Sequence, residues 1–189
     1  MKLNLARRRL ATCLLSAVAL PIAASVAGAD DWSALQAGGV VLFRHALAPG
    51  GGDPPGFKLD DCRTQRNLSD EGRAQALRIG QAFQARGIAV GAVWSSQWCR
   101  TRETADIAFP RQRVDQPAFN SFFGDRDAAP EQKRAAQALL AGWHGPGVLV
   151  VSTHQVNITA LTGILPASGE GLVVKPSAQG LTVLGRIAP

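Results

Sequence analysis

The sequence predicts an α/β protein: a three-layer α/β/α sandwich with a mostly parallel central sheet and helices on both faces. Short, continuous apolar runs alternate along the chain with longer segments of helical periodicity, the order that gives parallel strands joined by helices. No internal repeat interrupts this order. The 189 residues are 46% hydrophobic and 18% charged, which fits one globular domain rather than a disordered or fibrous chain.

The individual elements follow from the apolar runs and the residues that end them. Residues 40–43 are a short run rich in β-branched side chains, Ser69 followed by two acids predicts a helix start, and Pro110 ends the next helix. The predicted order is a strand at 40–43, a loop at 46–66, a helix at 67–87, a strand at 90–95, a helix at 100–109, a short extended piece around 114, a loop at 118–130, a helix at 131–143, a strand at 147–152, a helix at 156–165, and a hairpin of strands at 171–175 and 181–187.

Residues 1–29 are predicted to be a cleavable signal peptide, which leaves 30–189 as the folded domain. Basic residues precede an apolar run from Leu10 to about Val26, and Ala27-Gly28-Ala29 has the small-x-small pattern of a signal-peptidase site. We therefore expect a periplasmic or secreted protein with no stable membrane anchor after cleavage; a retained anchor is the weaker alternative. Arg7 and Arg8 leave the choice between Sec and Tat export open.

Removing the leader changes the charge of the chain. The leader holds 4 of the 20 Lys and Arg residues and none of the 14 Asp and Glu residues, so the remaining chain carries 16 − 14 = +2. The basic character of the whole chain is therefore largely a property of the leader. The sequence does not favour a nucleic-acid partner.

Cys62 and Cys99 are the two cysteines that remain after the leader. An even pair in a protein sent to an oxidising compartment favours a disulfide, and two sulfurs without CxxC spacing make a poor zinc site. We expect a Cys62–Cys99 bridge, provided that the two Cα atoms lie within about 7 Å of each other.

Polar residues follow the three strongest strands, at Arg44-His45, Ser95-Ser96 and Thr153-His154. Ligands of such sheets bind beyond the carboxyl ends of the strands, so these side chains should gather at one edge. Strand caps and surface ion pairs are the ordinary interpretation of each residue alone. The third histidine, His144, lies in the turn GWHGPG and is expected to be structural or exposed.

Two imidazoles and two guanidiniums around one cavity suit a phosphoryl group. Guanidinium groups, here Arg44 and Arg100, bind phosphate oxygens in bidentate fashion, and a neutral imidazole is a competent nucleophile. A second imidazole can hydrogen-bond an equatorial oxygen. The sequence has no P-loop, DxD pair or metal-ligand cluster that would compete for this role, so we expect neither metal nor cofactor.

Four motifs resemble the ordered pattern of the histidine phosphatase superfamily, which has the phosphoglycerate-mutase-like fold: LFRHA, NLSDEGRAQA, SSQWCRTRETA and VVSTHQ. The resemblance covers residues 40 to about 165. The short chain is similar to the smaller branch of that superfamily, whose members lack large cap insertions. The resemblance implies that 30–189 is a histidine phosphatase domain and that His45 accepts the phosphoryl group. It further implies that Arg44, Arg100 and His154 form the rest of the phosphate pocket.

The chain departs from that family pattern at three points. Ala46 replaces the usual glycine after the first histidine, and Gln155 replaces the glycine that commonly follows the second. The general acid has no clear counterpart: Asp125 is the candidate, Asp127 is the reserve, and the third alternative is that neither serves. Without an acid the leaving alkoxide is poorly protonated, which costs typically 100- to 10,000-fold and favours good leaving groups.

The sequence thus predicts an exported, metal-independent phosphatase that acts on a small phosphorylated substrate. The alternatives are a non-catalytic phosphate-binding module and a phosphomutase of the same fold. Arg63 and Arg66 are interpreted as solvated loop arginines, Trp94 as a core residue and Trp98 as a wall of the pocket. The substrate and the oligomeric state stay open.

Overall fold

The computed structural model describes residues 31–36 and 39–189. The predicted signal peptide at 1–29 lies outside the described residues. Within the described part of the chain, no helix has both the length and the apolar character needed to cross a membrane. The strands are β1 (Gly39–Arg44), β2 (Val90–Ser95), β3 (Arg113–Asp115), β4 (Val148–Thr153), β5 (Gly171–Ser177) and β6 (Gly180–Ile187). The helices are α1 (Asp70–Ala85), α2 (Cys99–Ala108), α3 (Ala129–Ala141) and α4 (Gln155–Thr162).

The six strands form one sheet in the order β3-β2-β4-β1-β5-β6. The pairs β2–β3, β2–β4 and β1–β4 are parallel, whereas β5 pairs antiparallel with both β1 and β6. Every residue of β4 is buried, as expected for a central strand that is covered on both faces. The mostly parallel sheet is therefore confirmed, with the C-terminal hairpin as its antiparallel edge.

Helices cover both faces of this sheet, and successive side chains of β1 pack alternately against one face and the other. Val41 and Phe43 belong to one apolar cluster, which also contains residues of α1 and α2: Ile79, Phe83, Ala105 and Ala108. Val40 and Leu42 belong to a second cluster, which contains residues of α3 and α4: Ala136, Leu140, Ile158 and Leu161. The three-layer α/β/α arrangement is confirmed.

Local signals explain where α1 begins and how closely it packs. The Ser69 hydroxyl accepts a hydrogen bond from the Gly72 amide at 3.1 Å, so the predicted N-cap is confirmed. A Cβ on Gly80 would lie 2.2 Å from the Ala108 carbonyl oxygen, so only glycine lets α1 approach the backbone of α2 this closely. This close packing helps to fix α2, the helix that carries Arg100.

The predicted elements are confirmed in their order and type. The boundaries shift by up to three residues: α1 begins at Asp70 rather than 67, and α4 ends at Thr162 rather than 165. The helix α3 spans Ala129–Ala141 rather than 131–143. Its start lies earlier because Pro130 occupies the first turn, where the fixed φ of proline suits a helix and its missing N–H is no loss.

Candidate functional site

The carboxyl ends of β1, β2 and β4 are level, which brings their following residues together. Arg44 is paired with Thr153 and Ser95 with Ser152 in the sheet. The ladder continues for one residue more, since the His45 amide donates to the Thr153 carbonyl at 2.9 Å and Ser96 donates likewise to Ser152 at 3.0 Å. The predicted gathering of polar side chains at one sheet edge is therefore observed.

His45 is held as a neutral imidazole with one nitrogen free. Its side chain is buried, and Nδ1 lies 2.8 Å from the Ala46 carbonyl oxygen. A carbonyl can only accept, so Nδ1 carries the proton and the lone pair lies on Nε2. Burial, followed by the positive charge of Arg100, lowers the pKa of His45 to about 3.

The alanine after His45 is accommodated without strain. Ala46 is buried, its amide donates to the Thr104 hydroxyl at 3.0 Å, and it is absent from the positive-φ residues of the described chain. The usual glycine is therefore not required by the backbone at this position.

His154 stands beside His45, with the ring centroids 5.6 Å apart and the rings steeply inclined. Its Nε2 lies 2.8 Å from the Ser96 hydroxyl, and its Nδ1 lies 3.4 Å from an Arg100 terminal nitrogen. Burial and then the charge of Arg100 lower the pKa of His154 well below its usual value. Both imidazoles are thus neutral at physiological pH.

Three guanidinium groups, not two, surround these imidazoles. Arg44, Arg66 and Arg100 line one cavity with the two histidines. Burial lowers the pKa of each arginine, and the charge of Arg100 lowers that of the other two further. The buried Nε–H of each of the three has no hydrogen-bond partner. Unpaired buried donors cost free energy, and here three of them belong to arginines that line the same cavity.

The interpretation of Arg66 as a solvated residue is wrong, whereas that of Arg63 is confirmed. Arg63 is exposed and pairs with Asp61, two residues before it. Arg66 is partly buried because its guanidinium donates back to the Ala48 carbonyl, which directs it into the cavity. The two arginines are three residues apart in one loop, and loop positions carry no periodicity from which to tell them apart.

Asp53 is a site residue that the sequence analysis missed. It lies in the glycine-proline loop and lines the cavity, and its carboxylate pairs with Arg100 at 2.8 Å. Both partners are almost completely buried. Burial alone would raise the pKa of Asp53, but hydrogen bonding to Arg100 and the charge of that arginine lower it overall. The only available signal was a lone acid in the run GGGDPP.

The cavity has a volume of about 750 Å³. We call the lining residues at the ends of the strands and in α2 its floor, and the lining residues of the loops at 46–66 and 118–130 its rim; the floor is charged and polar, whereas much of the rim is aromatic. Phe57, Trp98 and Phe123 line the cavity, and the rings of Phe57 and Trp98 are 5.6 Å apart. Asp125 lines the cavity and is exposed, which places the candidate acid at the rim. The reserve candidate, Asp127, is exposed and is not among the lining residues.

Trp94 and Trp98 lie in different environments, as predicted. Trp94 packs against the apolar cluster beneath α3 and α4, where its ring meets Trp143, whereas Trp98 lines the cavity. His144 is exposed, as expected.

The Cys62–Cys99 disulfide is confirmed, with 5.7 Å between the Cα atoms. It ties the long loop after β1 to the first residue of α2, directly beside Arg100. Among the described residues, no group of three or more His, Cys, Asp and Glu side chains could hold a metal ion.

Part of the chain matches a known protein family. The model of the histidine phosphatase superfamily (branch 1) matches residues 40–119, the segment that contains Arg44, His45 and Arg100. Over these 80 of its 189 residues, the chain is similar to the histidine phosphatase superfamily. No curated protein sequence matches the chain.

Several solved structures are similar to the chain over most of its length. A phosphoglycerate mutase from Thermus thermophilus has a TM-score of 0.56 at 18% identity, covering 79% of this chain and 98% of its own. The protein histidine phosphatase SixA, complexed with tungstate, has a TM-score of 0.54 at 18% identity, covering 79% and 96%. A phosphoserine phosphatase from Entamoeba histolytica has a TM-score of 0.55 at 12% identity, covering 79% and 96%. These likenesses establish the phosphoglycerate-mutase-like fold of the chain.

Proposed function

We propose that this protein is an exported phosphatase that hydrolyses a small phosphorylated substrate through a phosphohistidine on His45. The observation that carries the proposal is the state of His45: a neutral ring with Nε2 unprotonated, beside three arginines that each have an unpaired Nε–H. A buried imidazole kept neutral by cations is prepared to attack an electrophile that those cations bind. The tungstate bound by the SixA relative is an oxyanion of similar kind.

In the first step the Nε2 lone pair of His45 attacks phosphorus in line with the leaving oxygen. The N–P bond forms as the P–O bond breaks, and the leaving oxygen takes a proton from Asp125 or from water. The Nδ1–H bond to the Ala46 carbonyl supports the positive charge that develops on the ring. Arg44, Arg66 and Arg100 bind the equatorial oxygens.

In the second step a water molecule attacks the phosphorus of phosphohistidine. The O–P bond forms, the N–P bond breaks, and the proton of water passes to the Asp125 carboxylate or to solvent. Inorganic phosphate leaves, and His45 returns to its neutral form with the proton still on Nδ1.

His154 supports this chemistry through its link to Ser96. Its Nδ1 faces a donor of Arg100, so the ring proton lies on Nε2 and points to the Ser96 oxygen. A hydroxyl can also donate, and Ser96 can therefore accept the other tautomer of His154. That tautomer presents Nδ1–H to a phosphoryl oxygen.

Export is proposed from the predicted leader at 1–29, which lies outside the described residues. The Cys62–Cys99 disulfide supports it, because disulfides persist mainly in oxidising compartments. Accumulation of the mature protein in the periplasm or culture medium, and loss of residues 1–29 on mass spectrometry, would test this assignment.

The test of the proposed reaction compares wild type with His45→Ala on a panel of phosphate esters. We expect hydrolysis by wild type and loss on the order of 1,000-fold or more in the variant, as for a covalent nucleophile. Equal rates in the two proteins would exclude His45 as the nucleophile. Transfer of the phosphoryl group to a second hydroxyl would favour a mutase, and binding of phosphate without turnover would favour a binding module.

A further inference from the structure

Asp53 presents an unexpected feature: a carboxylate inside a pocket built for anions. It comes from the loop at 46–66 and forms an ion pair with Arg100 inside the cavity, and only 8% of its side chain is exposed. A negative charge at this place should weaken phosphate binding unless it does something else for the site. The hydrogen bonds of the two side chains show what that is.

All four acceptor positions of the Asp53 carboxylate are used. Oδ1 accepts from the Arg66 amide at 3.0 Å and from Nη1 of Arg100 at 2.8 Å. Oδ2 accepts from the Trp98 indole at 2.9 Å and from Nη2 of Arg100 at 3.2 Å. A carboxylate offers about four lone-pair sites, so this one is saturated by N–H donors. It has no place for a proton and is therefore not the missing general acid.

The N–H donors of the Arg100 guanidinium can be assigned to acceptors in the same way. Nη1 donates to Asp53 and to the Arg66 carbonyl at 3.3 Å, and Nη2 contacts Asp53 and, at 3.4 Å, Nδ1 of His154. Only Nε–H lacks a partner. The edge between Nη1 and Nη2 is thus closed by Asp53. The edge between Nε and Nη2 carries only the long 3.4 Å contact of Nη2 with Nδ1 of His154. In the other tautomer of His154 that nitrogen is itself a donor, which releases Nη2, so this is the edge that can make a bidentate contact with phosphate.

We infer that Asp53 is a positioning residue that holds Arg100 so that its Nε–Nη2 edge faces the phosphoryl group. The hydrogen bonds of its carboxylate go to Arg66, Trp98 and Arg100 rather than to His45, so it acts through Arg100. The Trp98 indole and the Arg66 amide fix the carboxylate from the other side, and the disulfide at Cys99 fixes the same loop beside Arg100. This inference rests on the proposed function, because it assigns a role within that reaction.

The test is a double-mutant cycle of Asp53→Asn and Arg100→Ala. Asparagine keeps one oxygen acceptor but turns an N–H₂ group toward the guanidinium, so Arg100 is no longer held in its orientation. We expect kcat of Asp53→Asn to fall about 10- to 100-fold, as for a misplaced catalytic group. In the Arg100→Ala background the same substitution should change kcat by less than about twofold.

Two further readouts separate positioning from other roles. The loss in kcat should be equal for p-nitrophenyl phosphate and for an alkyl phosphate; a loss that grows with the pKa of the leaving group would show a general acid and overturn the inference. Inorganic phosphate, measured by calorimetry, should bind Asp53→Asn about 3- to 10-fold more weakly than wild type. Tighter binding would show that Asp53 blocks the pocket, and this would also overturn the inference.

Asp61→Asn is the matched control, because Asp61 also pairs with an arginine of the same loop, but at the surface. It should leave kcat unchanged. If Asp53→Asn does not fold, Trp98→Phe can replace it, because it removes one of the four donors to the same carboxylate. It should lower kcat by a smaller factor, and this effect should also disappear in the Arg100→Ala background. An additive loss in the cycle would refute the inference.

The cycle separates failure of the inference from failure of the proposed function. Wild-type protein that hydrolyses no ester would sink the proposed function alone. The phosphate affinities of wild type, the two single variants and the double variant would then decide the role of Asp53. A non-additive weakening of binding would support the positioning role, and an additive weakening would overturn it.

Discussion

The floor and the rim of the cavity are built in different ways. The floor consists of Arg44, His45 and His154, which lie at the carboxyl ends of paired strands, and of Arg100 in the first turn of α2. The register of the strands fixes where the backbone atoms of the first three lie. The rim comes from the loops at 46–66 and 118–130 and contributes aromatic rings and the exposed Asp125. We infer that binding and attack on phosphorus belong to the floor, while protonation and selection of the leaving group belong to the rim.

Removal of a floor arginine should have the largest effect. Arg100→Ala should lower kcat about 100- to 1,000-fold, because a preorganised donor to the phosphoryl oxygens is lost in a buried site. Steady-state kinetics on p-nitrophenyl phosphate would measure this. The control is Arg102→Ala on the same helix, whose guanidinium pairs with Asp115 away from the cavity; an equal loss in both variants would contradict the assignment.

The disulfide joins the two regions, and its loss should be seen mainly as lost stability. The bridge spans 37 residues, for which the chain-entropy model gives about 4 kcal/mol. Replacing Cys62 and Cys99 together by serine should lower the free energy of unfolding by roughly 2–4 kcal/mol in denaturant titrations. An unchanged midpoint would show that the bridge does not restrain the loop.

Asp125→Asn should sharpen the contrast between floor and rim. If Asp125 protonates the leaving group, its loss should cost about 100-fold on an alkyl phosphate and little on p-nitrophenyl phosphate, which leaves without a proton. The control Asp127→Asn, outside the cavity lining, should be near wild type on both. A uniform loss on the two esters would exclude the acid role.

The neutral histidines of the floor should make stability depend on pH. The folded-state pKa of His45 is about 3 and that of an unfolded histidine is about 6.5, so on acidification the unfolded chain takes up a proton first. From pH 6.5 toward pH 5 the free energy of unfolding should therefore fall, with His45 contributing up to about 1.4 kcal/mol per pH unit. His45→Gln should flatten this slope in denaturant titrations, and His144→Gln, at an exposed position, should not.

The same difference between regions decides what the sequence could reveal. Arg44, His45 and His154 were predictable because short apolar strands have few possible registers and their carboxyl ends meet at one edge. Asp53 and Arg66 were not, because the glycine-proline loop has no periodicity and its path depends on contacts with Trp98, Arg100 and the disulfide. Family resemblance supplied roles for the floor but no acid for the rim.

The most direct test of the central claim is the isolation of the phosphoryl-enzyme. Brief incubation of wild type with a 32P-labelled ester, followed by quenching in base, should trap a label that is stable to alkali, labile to acid and mapped to the peptide containing His45. The label should be absent from His45→Ala. Turnover without such a label, or a label that persists in His45→Ala, would contradict the account.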